Sequence, residues 1–203
     1  MTDEAMPHGL RICVVGDDLV AGMGDGKSLG WVGRVAARTG APAGGIAVFP
    51  LGVPGEGSAS LLKRWQQECG LRFAQGSDNR LVVGVGTHDL DTDLSLARSR
   101  LNMANILDEA FSRSISSFVV GPPPSGDPDR DEAISALSAA FADVCDRRSV
   151  PYVDCYTPLA THDQWHADLA AGDGQHPGQA GYGLMAWLVL HGGWHQWLGI
   201  PQE

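Results

Sequence analysis

The chain has 203 residues, which suits one domain over 1–203, long enough to bury most of its apolar surface without disulfides or metals. Its 24 acidic residues against 14 Lys and Arg give a formal net charge of −10. The acids are scattered and no basic run stands out, so neither nucleic acid nor an anionic membrane surface is expected as a partner, and neutral or cationic small molecules suit the field better. No apolar stretch nears the ~18 residues of a membrane span. The start, MTDEAMPHGL, puts acids before any apolar run and has no leader-like cleavage pattern, so a cytoplasmic setting is expected. Cys13, Cys69, Cys145 and Cys155 lack the CxxC spacing of zinc or redox sites and read as buried, reduced thiols.

Five short apolar, β-branched runs read as strands: RICVV (11–15), GIAVF (45–49), RLVVGV (80–85), SSFVV (116–120) and VPYVD (150–154). Between and after them lie residues at helical spacing. These are Trp31, Val32, Val35 and Ala36, then Leu61, Leu62 and Trp65, then Leu94 through Phe111, then Ile134, Leu137, Phe141 and Val144, and finally Tyr182 to Leu190. This alternation predicts an α/β fold, a parallel five-stranded sheet covered by helices on both faces, with functional groups on loops at the carboxyl ends of the strands. The segment GPPPSGDPDRD (121–131) is linker-like but too short to separate domains. Segment 155–172 holds two His and a Trp with weak periodicity and is expected to be a loop able to line a site.

The first strand runs into Gly16-Asp17-Asp18-Leu19, the second into Gly52-Val53-Pro54-Gly55-Glu56-Gly57, and the third into Gly86-Thr87-His88-Asp89-Leu90. Nearer the carboxyl end, Gly172-Asp173-Gly174-Gln175-His176-Pro177 precedes a helix-like run, and an Asp three residues before a His lets carboxylate and imidazole face one pocket. In order and spacing these blocks resemble those of the SGNH (GDSL-type) esterases and acylhydrolases over nearly the whole chain: GDDL at 16–19, GVPGEG at 52–57, GTHDL at 86–90 and DGQHP at 173–177. The resemblance implies a flavodoxin-like, three-layer α/β/α sandwich and cleavage of small esters without a cofactor. In that family a serine attacks the acyl carbon, a D-x-x-H pair supplies the base and its orienter, and amides together with an asparagine side chain hold the oxyanion. Carried over by position, Asp173 and His176 match the acid and base and Gly55 matches the oxyanion glycine. Two positions differ: Asp18 stands where the family has its serine, and His88 stands where it has the asparagine, still able to donate an N–H in the right tautomer.

A carboxylate attacking an ester carbonyl gives a mixed anhydride, so Asp18 changes the acyl-serine mechanism or ends it. Among amides meant for an oxyanion, its side chain is favoured by the helix dipole and by charge-assisted hydrogen bonds, and so fills the pocket itself. His176 is then expected to pair with Asp18 and be held protonated. Two active readings remain, Asp18 as a general base toward water or as a nucleophile toward an alkyl carbon. The alternative is a catalytically silent member that binds a small ligand or a protein partner. Taken alone, Asp18 also reads as the N-cap of the first helix, and His88 as a structural His on a loop carbonyl.

Other patterns compete. Residues 21–28 fit a loose phosphate-loop pattern, but the preceding strand ends too early. Residues 26–30 spell G-x-S-x-G around Ser28 without the strand a nucleophile elbow requires. His162 with His166, and His191 with His195, have the i, i+4 spacing of a helical metal pair but no third ligand at a telling distance, so no metal is expected. Trp194 and Trp197 read as a carboxyl-terminal segment packed over the core.

Overall fold

In the structure, a computed structural model that describes residues 9–42, 44–92 and 94–201, the first apolar run becomes β1 (Leu10–Gly16). Its side chains alternate, Ile12 and Val14 entering one core and Cys13 and Val15 the other, so both faces of the strand are buried. The other strands are β2 (Ile46–Gly52), β3 (Asp78–Gly84), β4 (Ser116–Val120) and β5 (Tyr152–Val153). All pair in parallel in the order β2-β1-β3-β4-β5, the flavodoxin-like order.

The helices in chain order are α1 (Asp18–Ala21), α2 (Gly30–Ala36), α3 (Ser58–Gly70), α4 (Leu96–Ser112), α5 (Pro128–Asp146), α6 (Tyr156–Leu159), α7 (Asp163–Ala171), α8 (Gln179–Val189) and α9 (His195–Leu198). On one face of the sheet, Trp31, Val32 and Val35 of α2 and Tyr182, Met185 and Val189 of α8 close a core with Trp165. On the other, Leu61 and Trp65 of α3, Met103 and Ile106 of α4, and Leu137 and Phe141 of α5 close the second. This is the expected three-layer α/β/α sandwich. Trp194 packs edge-on against Phe118 at 5.5 Å and donates to Thr39 at 2.9 Å, and Trp197 donates to Ser116 at 2.9 Å, so this segment covers the core as expected. The four cysteines are buried free thiols. Among the described residues no helix is long and apolar enough to cross a membrane.

Segment 155–172, expected to be a loop, contains α6 and α7. In α7, Trp165 and Leu169 are buried four residues apart, and the Trp165 indole donates to the Pro124 carbonyl at 3.0 Å. Tertiary packing, not periodicity, sustains so short a helix. Similarly α8 begins at Gln179, two residues past Pro177, and β5 keeps only two residues of the 150–154 run.

The turn that spells a phosphate loop wraps an anion of its own. Asp25 accepts from the amides of Lys27 (3.0 Å), Leu29 (3.1 Å) and Gly30 (2.9 Å) and pairs with Arg34. The Arg34 hydrogen bond, reinforced by the Lys27 and Gly30 amides against the cost of burial, holds its carboxyl down at about 2. Ser28, at φ 52°, is an exposed residue of this turn and takes no part in the cleft described below. The turn braces the carboxyl-terminal site block: Tyr182 donates to the Met23 carbonyl at 2.6 Å, and Gly24 lies directly under His176.

Gly24 has φ +83°, and a Cβ there would fall 2.8 Å from both the His176 Cβ and the Pro177 carbonyl, whereas a Cβ on Gly26 meets nothing within 4 Å. Gly24→Ala is therefore expected to cost about 2 kcal/mol through left-handed strain and overpacking, and Gly26→Ala to stay within about 0.5 kcal/mol. Urea unfolding of the pair checks this.

Candidate active site

Strands β1, β2 and β3 end flush, with Gly16 paired to Gly52 on one side and to Gly84 on the other. The fit is backbone against backbone: a Cβ on Gly16 would lie 1.9 Å from the Gly84 carbonyl oxygen, and one on Gly52 2.3 Å from the Ala21 amide nitrogen. Only hydrogen fits at either position. Three loops therefore leave the sheet side by side and carry Asp18, Gly55 and His88 to one place.

Asp17, not Asp18, is the N-cap of α1, accepting from the Leu19 amide at 3.1 Å, with Thr87 Oγ1 donating to its other oxygen at 3.3 Å. That leaves the Asp18 side chain free to turn into the cleft. Its Oδ1 accepts from the Gly55 amide at 3.0 Å and its Oδ2 is bonded to His88 Nε2. His88 lies on a 3-10 turn (Thr87–Asp91), its Nδ1 3.0 Å from Asp91 Oδ2. Both of its ring nitrogens thus meet carboxylates and not a loop carbonyl. Asp91 is gripped in turn by Arg130 of α5 at 2.5 and 3.1 Å. Buried Asp89, beside His88, accepts from the Ser58 amide and hydroxyl at 2.6 Å each, which ties this turn to the start of α3.

On the fourth block, Asp173 Oδ1 accepts from the amides of Gln175 (2.9 Å) and His176 (2.8 Å), and its Oδ2 bonds His176 Nδ1 at 2.6 Å. That fixes the ring with Nε2 facing Asp18 Oδ2 at 3.8 Å. The expected pairing of Asp18 and His176 is met at ion-pair distance and not as a hydrogen bond. Asp18 hydrogen-bonds His88 instead, because Gly55 and His88 flank it more closely.

Charges follow from these contacts. The His176 ring hydrogen bond, with two amides, holds Asp173 well below the usual carboxylate range. Arg130 likewise lowers Asp91. Burial pulls His88 down, but the hydrogen bond and charge of Asp18, with Asp17 and Asp91, outweigh it and hold the imidazole above its ordinary value. Burial, with the neighbouring charge of Asp18 adding to it, pushes Asp17 up to about 7.

All of this lines a cleft of about 430 Å³, within the range of small-molecule sites. Its far wall is Pro123, Pro124, Ser125 and Asp127 with Trp165 behind, so residues 121–127 of the linker-like segment are the loop after β4 and a wall of the site, while 128–131 open α5. Sequence reasoning missed Asp17, Asp91 and Arg130. Asp91 had a readable signal, a carboxylate three residues from a His as in the 173/176 pair, whereas Arg130 lies 39 residues from its partner and left none. Of the two histidine pairs, His166 bonds the Ala160 carbonyl at 2.8 Å and His191 stacks on Trp187 at 4.2 Å. Among the described residues no three His, Cys, Asp or Glu form a metal cage.

A parallel α/β/α sandwich with an Asp–His pair, a glycine amide and a third polar side chain converging at its strand ends places the chain in the class of flavodoxin-like α/β/α folds. The model of the GDSL-like Lipase/Acylhydrolase family matches residues 14–184, and the chain belongs to that family. Among solved structures it resembles a lipase/acylhydrolase from Enterococcus faecalis (25% identity, TM-score 0.73, covering 92% of this chain and 96% of that one). It also resembles the acetylxylan esterase Axe2 from Geobacillus stearothermophilus (19%, TM-score 0.76, 98% and 99%) and the psychrotrophic esterase EstA from Pseudoalteromonas sp. (17%, TM-score 0.71, 93% and 98%). No curated protein matches the sequence.

Asp17 generates a stability prediction. Between about pH 4, where an unfolded Asp releases its proton, and about 7, where the folded one does, the folded state binds more protons, so stability falls as pH rises through that window. Asp17→Asn keeps an acceptor for the Leu19 amide and cannot ionise. Relative to the unmodified protein it is expected to gain on the order of 2–4 kcal/mol between about pH 4 and pH 8, read from unfolding midpoints across pH.

Proposed function

We propose that this chain is a GDSL-like hydrolase domain, spanning 1–203, whose cleft takes small esters and whose nucleophile position is occupied by Asp18 in place of serine. One observation carries the reading: the two oxygens of Asp18 take the Gly55 amide and the His88 ring, the donors that the family resemblance assigns to the oxyanion. The carboxylate therefore lies where the tetrahedral oxygen of an ester would form. It both blocks that pocket and supplies no transferable acyl acceptor of the usual kind, so turnover through residue 18 is held low.

The rest of the machinery supports the same reading. Asp173 holds His176 by Nδ1 with Nε2 toward position 18, the orientation a base needs to take a proton from a hydroxyl there. Asp18, Asp91, Asp127 and Asp173 line the cleft, with Arg130 already committed to Asp91. An uncharged ester enters that field more readily than an anion. The acetylxylan and acylhydrolase assignments of similar structures agree with small acyl esters as the substrate class. A cytoplasmic setting and the absence of a nucleic-acid partner belong to the same reading. The occupied pocket equally supports the alternative of a silent member that binds a small ligand or a protein partner.

Asp18→Ser is expected to raise hydrolysis of p-nitrophenyl acetate or butyrate by at least ~100-fold, the scale on which one oxyanion-hole donor is felt. Asp18→Ser with His88→Asn is expected to be at least as active, and adding His176→Ala to abolish the gain. If the unmodified protein cleaves these esters well and Asp18→Ser loses that activity, the carboxylate is itself the catalyst. If neither protein turns them over, the silent reading stands.

A further inference from the structure

His88 is the one departure from the family pattern, apart from Asp18, that reaches the centre of the site, and its surroundings constrain its protonation by geometry. Nε2 is bonded to Asp18 and Nδ1 stands 3.0 Å from Asp91 Oδ2. An ionised carboxylate only accepts hydrogen bonds, and a neutral imidazole has a single N–H. Both contacts are satisfied together only when the ring carries two protons. Nor is Asp91 free to turn away. Arg130 holds its two oxygens at 2.5 and 3.1 Å and also donates to the Thr87 carbonyl at 2.9 Å, fixing carboxylate and turn at once.

The charged groups around the ring come from every neighbouring element. Asp17 and Asp18 lie at the end of β1, Asp91 is on its own turn, and Arg130 of α5 stands behind Asp91. Beyond Asp18, His176 and its partner Asp173 complete the set. The two carboxylates bonded to the ring, Asp18 and Asp91, favour its cation, in keeping with the raised titration described above.

We propose that Asp91, clamped by Arg130, is a positioning residue that keeps His88 as an imidazolium, so that the side-chain donor facing residue 18 is a cation and not a neutral N–H. The catalytic part of this inference rests on the function proposed above. A neutral His88 with its one N–H on Asp91 would turn the Nε2 lone pair toward a developing oxyanion, repelling what the pocket is built to hold. Loss of the His88 proton therefore converts a donor into an acceptor, and gives the site an alkaline limit that an asparagine would not have. In the unmodified protein the same cation anchors the Asp18 carboxylate.

The proposal is tested first without activity, by ¹⁵N–¹H NMR of the imidazole rings in the unmodified protein, with His88 assigned by loss of its signals in His88→Gln. At about pH 7, where a free imidazole is mostly neutral, both His88 nitrogens are expected to be protonated, and Asp91→Asn to convert the ring to a single-proton pattern. A neutral, single-proton His88 in the unmodified protein at that pH overturns the proposal, as does a folded Asp91→Asn that keeps both protons. The second arm compares pH profiles of ester hydrolysis. Asp18→Ser is expected to lose at least ~10-fold in kcat at alkaline pH as the charged donor is lost, with KM little changed. Asp18→Ser with His88→Asn should show no such fall, and an equal fall in both counts against the proposal. Should Asp18→Ser prove inactive, the functional reading fails while the NMR result still decides the protonation of His88.

Discussion

The site depends on a steric constraint at the edge of the sheet. Gly16, Gly52 and Gly84 end three neighbouring parallel strands at one level, and the backbones there approach so closely that a methyl group on either of the first two would overlap a neighbouring chain. Because the strands end flush, the loops that follow start from adjacent points, and Asp18, the Gly55 amide and His88 reach the same space. Larger residues would splay the strands and separate Asp18 from the Gly55 amide, which lie 37 residues apart in the chain. The brace of Asp25, Gly24 and Tyr182 does the same for the fourth block, pressing the turn that carries His176 toward the others.

On that frame the titratable side chains are arranged as a row in which basic and acidic groups alternate. Arg130 holds Asp91, Asp91 and Asp18 lie on either side of His88, and across Asp18 stand His176 and Asp173. Two imidazoles, each backed by a carboxylate, thus face a third carboxylate between them. Asp17 lies beneath this row, where burial, with the charge of Asp18 adding to it, raises its titration. With a serine at 18 the row would be short of one negative charge, and His176 would have a hydroxyl, not an anion, in front of it. Under the proposed reading, a single side chain at the head of α1 therefore decides whether the same framework is a working ester-cleaving site or a self-occupied one.

The layers of the fold were legible because each element carries its own period: buried parallel strands read as unbroken apolar runs, and α3, α4 and α5 each bury one stripe. The blocks at the strand ends were legible because turn glycines and an Asp–His pair three residues apart leave marks within a few positions of one another. Helix α7 was not, since its burial comes from Trp165 fitting under a proline loop 41 residues earlier, and no window of sequence contains that contact.

What the sequence determined by itself is therefore the layered sheet and the set of residues, Asp18, Gly55, His88, Asp173 and His176, that meet at its carboxyl edge. What only the tertiary structure decided is how they pair. That Asp18 bonds His88 in preference to His176, which stands 3.8 Å away, and that Arg130 reaches back to fix Asp91 are settled by differences of about an ångström between loops distant in the chain. Hydrogen bonds fall off over that range, and local sequence patterns carry no information about it.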